Sequence, residues 1–317
     1  MFRWDAATKE AVCRRYEEAL ESFVSRVKQD RYIVAAILFG SLAYDEVWEK
    51  SDIDMMLIGR DDKATERFCA LVENGITIHA EVIPRSKFKV GLEGNLQGTW
   101  TQSVMARSTL LFSTDESIQE YYENVSHVGS RDREMQMLRA AVSVISLLTK
   151  AEKWLVVKND LIYSFVYILH LMHGLAEIEV LWHADVPGRE VIQQALAYNP
   201  DFFTALYTDL AQRPKDAETI SWAIQQIHTY LDERQAVIFK PILSYLSGVG
   251  NVRSVSEIED YLKQRSQMNG LSVICEWLAD KGILEKVTTP LRLTEKSRVT
   301  LDEAAYYSDG GDIDDAS

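Results

Sequence analysis

The residues best equipped for chemistry lie close together in one stretch: Leu38-Phe-Gly-Ser-Leu-Ala-Tyr-Asp-Glu-Val-Trp-Glu-Lys-Ser-Asp-Ile-Asp-Met-Met-Leu-Ile58. Gly40-Ser41 ends an apolar, β-rich run. A glycine there permits close backbone approach, and exposed N–H groups with a hydroxyl suit phosphate oxygens, particularly ahead of a helix. Asp52 and Asp54 flank Ile53. On a strand, alternate side chains share a face, so both carboxylates point one way and Ile53 points into the core. Glu81 sits in a later apolar run, between Ala80 and Val82. A neighbouring strand would bring it beside the aspartates. Three converging carboxylates repel one another unless a cation compensates. Mg²⁺ answers this need, because it takes hard oxygen ligands and bridges carboxylates to substrate phosphates. Two such ions about 4 Å apart would stabilise both oxygens of an in-line displacement. The expected reaction is attack of a hydroxyl on the α-phosphate of a nucleoside triphosphate, with release of pyrophosphate.

Separately, a D-x-D at a strand end or a Gly-Ser turn is common. The combination is more specific: apolar-Gly-Ser, ten residues, Asp-apolar-Asp-apolar, then a strand carboxylate.

The elements that must position these groups follow from periodicity. Residues 8–28 place Val12, Tyr16, Ala19, Leu20, Phe23 and Val27 at helical spacing. Runs 32–39, 53–58 and 76–83 read as strands, with 108–112 as one more. Residues 64–72 read as a helix, and Pro84, Gly91, Gly94 and Gly98 suggest loops. The first 115 residues therefore read as an α/β domain with a mixed sheet. Residues 116–247 show long helical periodicity, with helices expected at 134–155, 161–182, 190–197, 200–210 and 217–239. Pro241 and then Gly248-Val-Gly250 are expected to end this helical, substrate-binding-like bundle. Residues 248–307 read as two helices, strands at 285–288 and 291–294, and a final helix opened by the Thr300-Leu-Asp-Glu303 capping box. That order is winged-helix-like. The acidic tail 308–317 is expected to be disordered. The fold class is α+β.

The chain has 317 residues, room for two or three domains at roughly 100–200 residues each. Its 47% apolar content supports a sizeable core, and its net charge of −14 offers no global attraction to nucleic acid or anionic lipid. Cys13, Cys69 and Cys275 are odd in number and widely spaced, which points to free thiols in a reducing compartment. No signal peptide or uninterrupted membrane-length apolar run stands out. A cytoplasmic protein, possible as a homodimer, is the expectation.

On the Gly-Ser…Asp-Ile-Asp motif and Glu81, the sequence resembles the DNA polymerase β nucleotidyltransferase superfamily. Ser51-Asp-Ile-Asp-Met-Met-Leu-Ile58 is similar to the corresponding run of the kanamycin (aminoglycoside) nucleotidyltransferase branch. The resemblance implies that Gly40 and Ser41 hold the triphosphate, that Asp52, Asp54 and Glu81 bind Mg²⁺, and that a helical second domain follows. It covers about two-thirds of the chain, with specific motifs only in the first 90 residues. That branch carries a catalytic Glu and a phosphate-binding Lys four residues apart on the first long helix of the second domain. The nearest match is Thr149-Lys-Ala-Glu-Lys-Trp154. It offers Lys153 for phosphate but puts Thr149 where the base belongs. Glu152 stands about 60° round the helix from that position, and Glu81 is the other candidate base.

Other polar groups read more plainly. His79 is placed to orient Glu81. Arg60 and Lys63 read as a solvated loop. His170 and His173 read as satisfied core or cleft residues rather than a metal site. The helix at 271–281 is too acidic for reading a major groove, so packing or dimerisation is its expected role. A cleft between the first two domains, near Trp100 and Trp182, is the expected acceptor site. The leading reading is transfer of a nucleoside monophosphate to a hydroxyl of an unknown small molecule. The alternative is a catalytically silent nucleotide-binding regulator with the winged helix as output. A protein-modifying member is disfavoured by the long helical domain.

Overall fold

The computed structural model describes residues 6–44, 46–95, 105, 108–125, 130–249, 251–263, 268, 270–294 and 296–308. The chain divides into two compact units, Met1–Gly129 and Ser130–Ser317.

In the first unit a long helix, α1 (Ala6–Val27), precedes β1 (Ile33–Phe39). A single 3₁₀ turn, Ser41–Tyr44, and a short loop lead to β2 (Ile53–Gly59). Then come β3 (Arg67–Glu73), β4 (Ile76–Pro84), α2 (Arg85–Asn95), β5 (Thr109–Ser113) and α3 (Glu116–Val125). The strands form one mixed sheet in the order β3-β4-β2-β1-β5. β2 and β4 are parallel, and the other pairs are antiparallel. β1 and β2 are apolar along almost their whole length because both sheet faces are covered there. On one face Val12, Tyr16, Ala19 and Phe23 of α1 pack on Ile53, Met55 and Leu57. On the other, Met56, Ile58 and Ile83 pack with Phe88 of α2 and Ile118 of α3.

Three sequence expectations change in this unit. Residues 64–72 contain no helix but carry the edge strand β3, paired to β4 through a tight turn at Asn74-Gly75. Both turn residues have positive φ, 50° and 78°, the signature of a two-residue hairpin that outweighs the helical propensity before it. The loop expected after Pro84 opens instead as α2, because Phe88 has a core to enter, being 3% exposed. Ser86 N–H caps this helix by donating to Asp61 (2.7 Å). Finally, α3, expected to open the helical domain, buries Ile118 in the core of the first unit.

The second unit is built on a helical pair, α4 (Ser130–Val156) and α5 (Leu161–Trp182). Ser164 Oγ donates to Ala151 O (2.8 Å), and further along the pair Gly174 faces Val144. These contacts run in opposite directions, so the helices are antiparallel, as their short connection requires. α5 is the one helix among the described residues long and apolar enough to cross a membrane, yet Ile168, Leu171, Met172, Leu175 and Ile178 are buried inside the unit. His170 and His173 lie on its exposed side, not in the core; His173 is 59% exposed and 3.4 Å from Glu177.

Next come α6 (Val191–Tyr198), α7 (Pro200–Phe203), a π-helical stretch (Thr204–Asp209), α8 (Leu210–Gln212) and α9 (Ala217–Ile238). Pro241 does not end the bundle. It sits in the first turn of α10 (Lys240–Val249), where its missing N–H costs nothing.

The chain closes with β6 (Arg253–Ser254), α11 (Val255–Lys263), α12 (Leu271–Asp280), β7 (Glu285–Leu291) and β8 (Leu301–Tyr307). The second hairpin strand is thus Leu301–Tyr307 rather than 291–294, and the helix expected from the Thr300 capping box does not form. β8 is the middle strand of a β6-β8-β7 sheet, paired on both sides, and that pairing outweighs a local capping signal. Pro290 is accommodated because β7 is an edge strand. Leu271, Ile274, Leu278 and Tyr306 belong to the same core as α4 and α5. Of the stretch expected to be disordered, 308–317, all but Ser308 lies outside the described residues, as does Trp100.

Candidate metal and phosphate site

The site grows from the end of β1, the start of β2 and the interior of β4. β1 runs antiparallel to β2 with Phe39 opposite Asp54, so Gly40 follows directly beside that carboxylate. Gly40 adopts φ +77°. A Cβ built there would lie 2.4 Å from Asp54 Oδ2, so any other residue is strained in its backbone and pushes on that carboxylate. Ser41 begins the 3₁₀ turn, which is closed by Ala43 N–H to Gly40 O (3.0 Å) and Glu46 N–H to Ser41 O (2.9 Å).

Asp52 immediately precedes β2, and Asp54 is its second residue. The two carboxylates share a face, as the pleat requires. The loop before them is tied down from α1. The hydroxyl of Tyr16, a residue only 2% exposed, donates to Ser51 O (2.6 Å). Burial raises the Tyr16 pKa, which keeps this donor protonated. The sequence marks Tyr16 only as one of the apolar positions of a helix; nothing in its spacing signals the contact.

The parallel β2–β4 register sets Asp54 opposite His79, and Met56 opposite Glu81. The imidazole therefore joins the aspartates: His79 Nδ1 is 2.8 Å from Asp52 Oδ2 and 3.8 Å from Asp54 Oδ1. Potential ligand atoms of Asp52, Asp54 and His79 lie within 4.8 Å of one another. Glu81 is on the same face but one pleat repeat further along β4, between Met56 and Phe68 across the ladders. It is outside the group of three. His79 shares the parity of Glu81, so pattern alone did not separate them; only the register did. Beyond His79, Phe68 of the edge strand places its ring 5.3 Å away and stays 66% exposed.

Asp52, Asp54 and His79 are 41%, 29% and 34% exposed, so the group is open to a ligand from solvent. Arg60 lies past the opposite end of β2, about 20 Å along the strand from Asp54, and pairs with Asp62 (3.2 Å). Lys63 is in the same turn.

The remaining candidates are in the second unit. Glu152 and Lys153 lie on α4. Glu152 Oε1 is 2.6 Å from His228 Nε2 on α9, while Lys153 is exposed. Thr149 turns its hydroxyl back to Ile145 O (2.9 Å).

Residues 21–117 match the family described as Polymerase beta, Nucleotidyltransferase. No curated protein matches the chain. Among solved structures, a nucleotidyltransferase-like protein from Exiguobacterium sibiricum 255-15 superimposes with a TM-score of 0.60 at 15% identity, covering 92% of this chain and 99% of that one. This likeness concerns the fold. The residues matched by that family, 21–117, hold the five-stranded sheet and Gly40, Ser41, Asp52, Asp54 and His79.

Proposed function

We propose that the first unit binds a nucleoside triphosphate with a divalent cation and transfers the nucleoside monophosphate to a hydroxyl of a small molecule. The observation that carries this reading is the convergence of Asp52, Asp54 and His79 beside Gly40, whose positive φ and missing side chain leave the backbone open next to Asp54. Two carboxylates and an imidazole fit a divalent cation, Mg²⁺ or Mn²⁺ by the oxygen donors. Such a cation, when bound, neutralises phosphate charge and favours displacement at phosphorus.

The chain's own residues supply the rest. Asp52 and Asp54 hold the cation. Gly40 lets the phosphates approach the backbone, and the Ser41 hydroxyl donates to a phosphate oxygen. Phe68 offers a ring face beside the group. The 2.8 Å contact to Asp52 supports a second role for His79. With Nδ1–H held by that carboxylate, Nε2 is left as an acceptor able to take the proton of an attacking hydroxyl. This supplies a base that Thr149 lacks. The order of helices and strands in 240–307 supports a winged-helix-like reading of the C-terminal segment. Glu276 on α12 is paired with Lys286 of β7, which favours packing over groove reading.

Pyrophosphate release from each of the four ribonucleoside triphosphates, with Mg²⁺ or Mn²⁺ and a panel of hydroxyl acceptors, tests the proposal. Release by the wild type and none by Asp52→Asn is expected. His79→Ala separates the two roles: loss of release with binding retained marks a base, and loss of both marks a ligand. No release with any triphosphate, metal or acceptor overturns the transfer.

A further inference from the structure

The five-stranded sheet ends on one side at β3, whose outer edge pairs with no strand among the described residues. An open edge offers a row of backbone donors and acceptors to any other strand. Proteins usually blunt it with a lysine, a proline, a bulge or a very short strand. β3, Arg67-Phe-Cys-Ala-Leu-Val-Glu73, has none of these; it is seven residues long and keeps an unbroken register with β4. The opposite edge, β5, is shorter, and its ladder to β1 is interrupted by a register shift. Phe68, Ala70, Leu71 and Val72 of β3 are nevertheless exposed.

The hairpin fixes which backbone groups point outward. Asn74-Gly75 is a two-residue turn closed by Glu73 opposite Ile76. In such a hairpin the closing pair exchanges its N–H and C=O bonds, and bonded and non-bonded pairs then alternate. Arg67, Cys69, Leu71 and Glu73 therefore bond inward to β4, while Phe68, Ala70 and Val72 turn their backbone groups to the open edge. These three are symmetric about Ala70. When a second copy is laid antiparallel with Ala70 opposite Ala70, Phe68 faces Val72 of the second copy, and every outward donor meets an outward acceptor. Sliding by two residues sets Val72 opposite Glu66, outside the strand. The side chains agree with the symmetric register. An aromatic and β-branched pair, Phe68 with Val72, forms twice on one face, with the small Ala70 at the axis. On the other face Cys69 meets Leu71, and Arg67 comes opposite Glu73, unlike charges rather than like. Glu73 already holds Arg26 (2.6 Å), so this end adds charge matching rather than a new ion pair.

We propose that two copies of this chain pair through β3 about a two-fold axis at Ala70, joining their sheets edge to edge. Pairing of one strand this short belongs with the smallest interfaces, below roughly 1,200 Å², so the association is weak, with a Kd on the order of 10–100 µM. It also reaches the candidate site. Val72 of the second copy packs beside Phe68, whose ring is 5.3 Å from that of His79, and walls the outer side of that ring.

Sedimentation equilibrium of the full chain over about 1–500 µM tests it, and a monomer–dimer equilibrium is expected. Val72→Lys, a change at an exposed position, weakens association about tenfold or more. Ala70→Pro does the same, because the N–H it removes points out of the sheet and not into the β4 ladder. Val90→Lys, equally exposed on α2, leaves association unchanged. The register has its own test. Non-hydrogen-bonded antiparallel neighbours stand about 4.5 Å apart at Cα, within disulfide range. Leu71→Cys is therefore bridged by oxidised glutathione to Cys69 of the second copy, and neither the wild type nor Leu71→Cys/Cys69→Ser gives that covalent dimer. A chain monomeric across the range, a dimer insensitive to folded Val72→Lys and Ala70→Pro, or cross-linking undiminished by Cys69→Ser overturns the proposal.

Discussion

Replacing Gly40 by alanine separates the demands of backbone and of site in one experiment. Alanine at φ +77° costs about 1–2 kcal/mol, because the left-handed region crowds Cβ. The new methyl would also lie 2.4 Å from Asp54 Oδ2, about 1 Å inside ordinary contact. That oxygen is the far end of a rotatable side chain, so the overlap is relieved by swinging the carboxylate away from Asp52 and His79. The stability loss therefore stays near the backbone figure, about 3–10 °C in Tm. The loss of metal-dependent triphosphate affinity is about 10–100-fold, the scale of disturbing a metal ligand's setting. Gly75→Ala is the matched control. It has nearly the same φ, +78°, but no atom within 4 Å of the built Cβ. It should cost similar stability and leave binding intact. Calorimetric melting and titration of metal–triphosphate on both variants is the assay. Wild-type affinity in Gly40→Ala would refute the reasoning, as would equal affinity losses in the two variants.

Three further outcomes follow from the contacts described. Tyr16→Phe removes the hydroxyl that holds Ser51 O and should cost about 1 kcal/mol in denaturant melts, with weaker metal-dependent binding because Asp52 loses its anchored loop. Gly174→Ala would place a methyl 2.7 Å from Val144 Cγ2 between α4 and α5, costing about 1–3 kcal/mol, and Val144→Ala should recover part of it in a double-mutant cycle. Ser117 and then Arg85 hold the Asp115 carboxyl down at about 2. Because its folded pKa lies below its unfolded value, it contributes stability that is present above about pH 4 and lost as pH falls toward about 2. Acid titration of stability should show a smaller loss over that window in Asp115→Asn than in the wild type.

Much of the site was legible because its logic is local. Gly40-Ser41 and Asp52-Ile-Asp54 lie within one strand-loop-strand unit, and alternation along a strand fixes the face of both aspartates. The third member was not, because it depends on the register between β2 and β4, which no local pattern encodes. His79 and Glu81 have the same parity, and only the register sets His79 rather than Glu81 opposite Asp54. The misread β3 had a visible signal: Asn74-Gly75 is a strong hairpin dipeptide, masked by the helix-forming Ala, Glu and Arg residues of 64–67. The capping box at Thr300 misled for the opposite reason, since tertiary pairing of β8 on both edges overrode it. The long helices of the second unit were read well, as sustained apolar periodicity leaves few alternatives.

The central claim is that Asp52, Asp54 and His79 bind a metal–triphosphate. Isothermal titration of ATP, GTP, CTP and UTP into the wild type and into Asp52→Asn/Asp54→Asn, each with Mg²⁺, with Mn²⁺ and with EDTA, tests it most directly. The account predicts binding of at least one triphosphate that requires the divalent ion and disappears in the double variant. Binding that is equally strong in EDTA, or that survives the loss of both carboxylates, would contradict it.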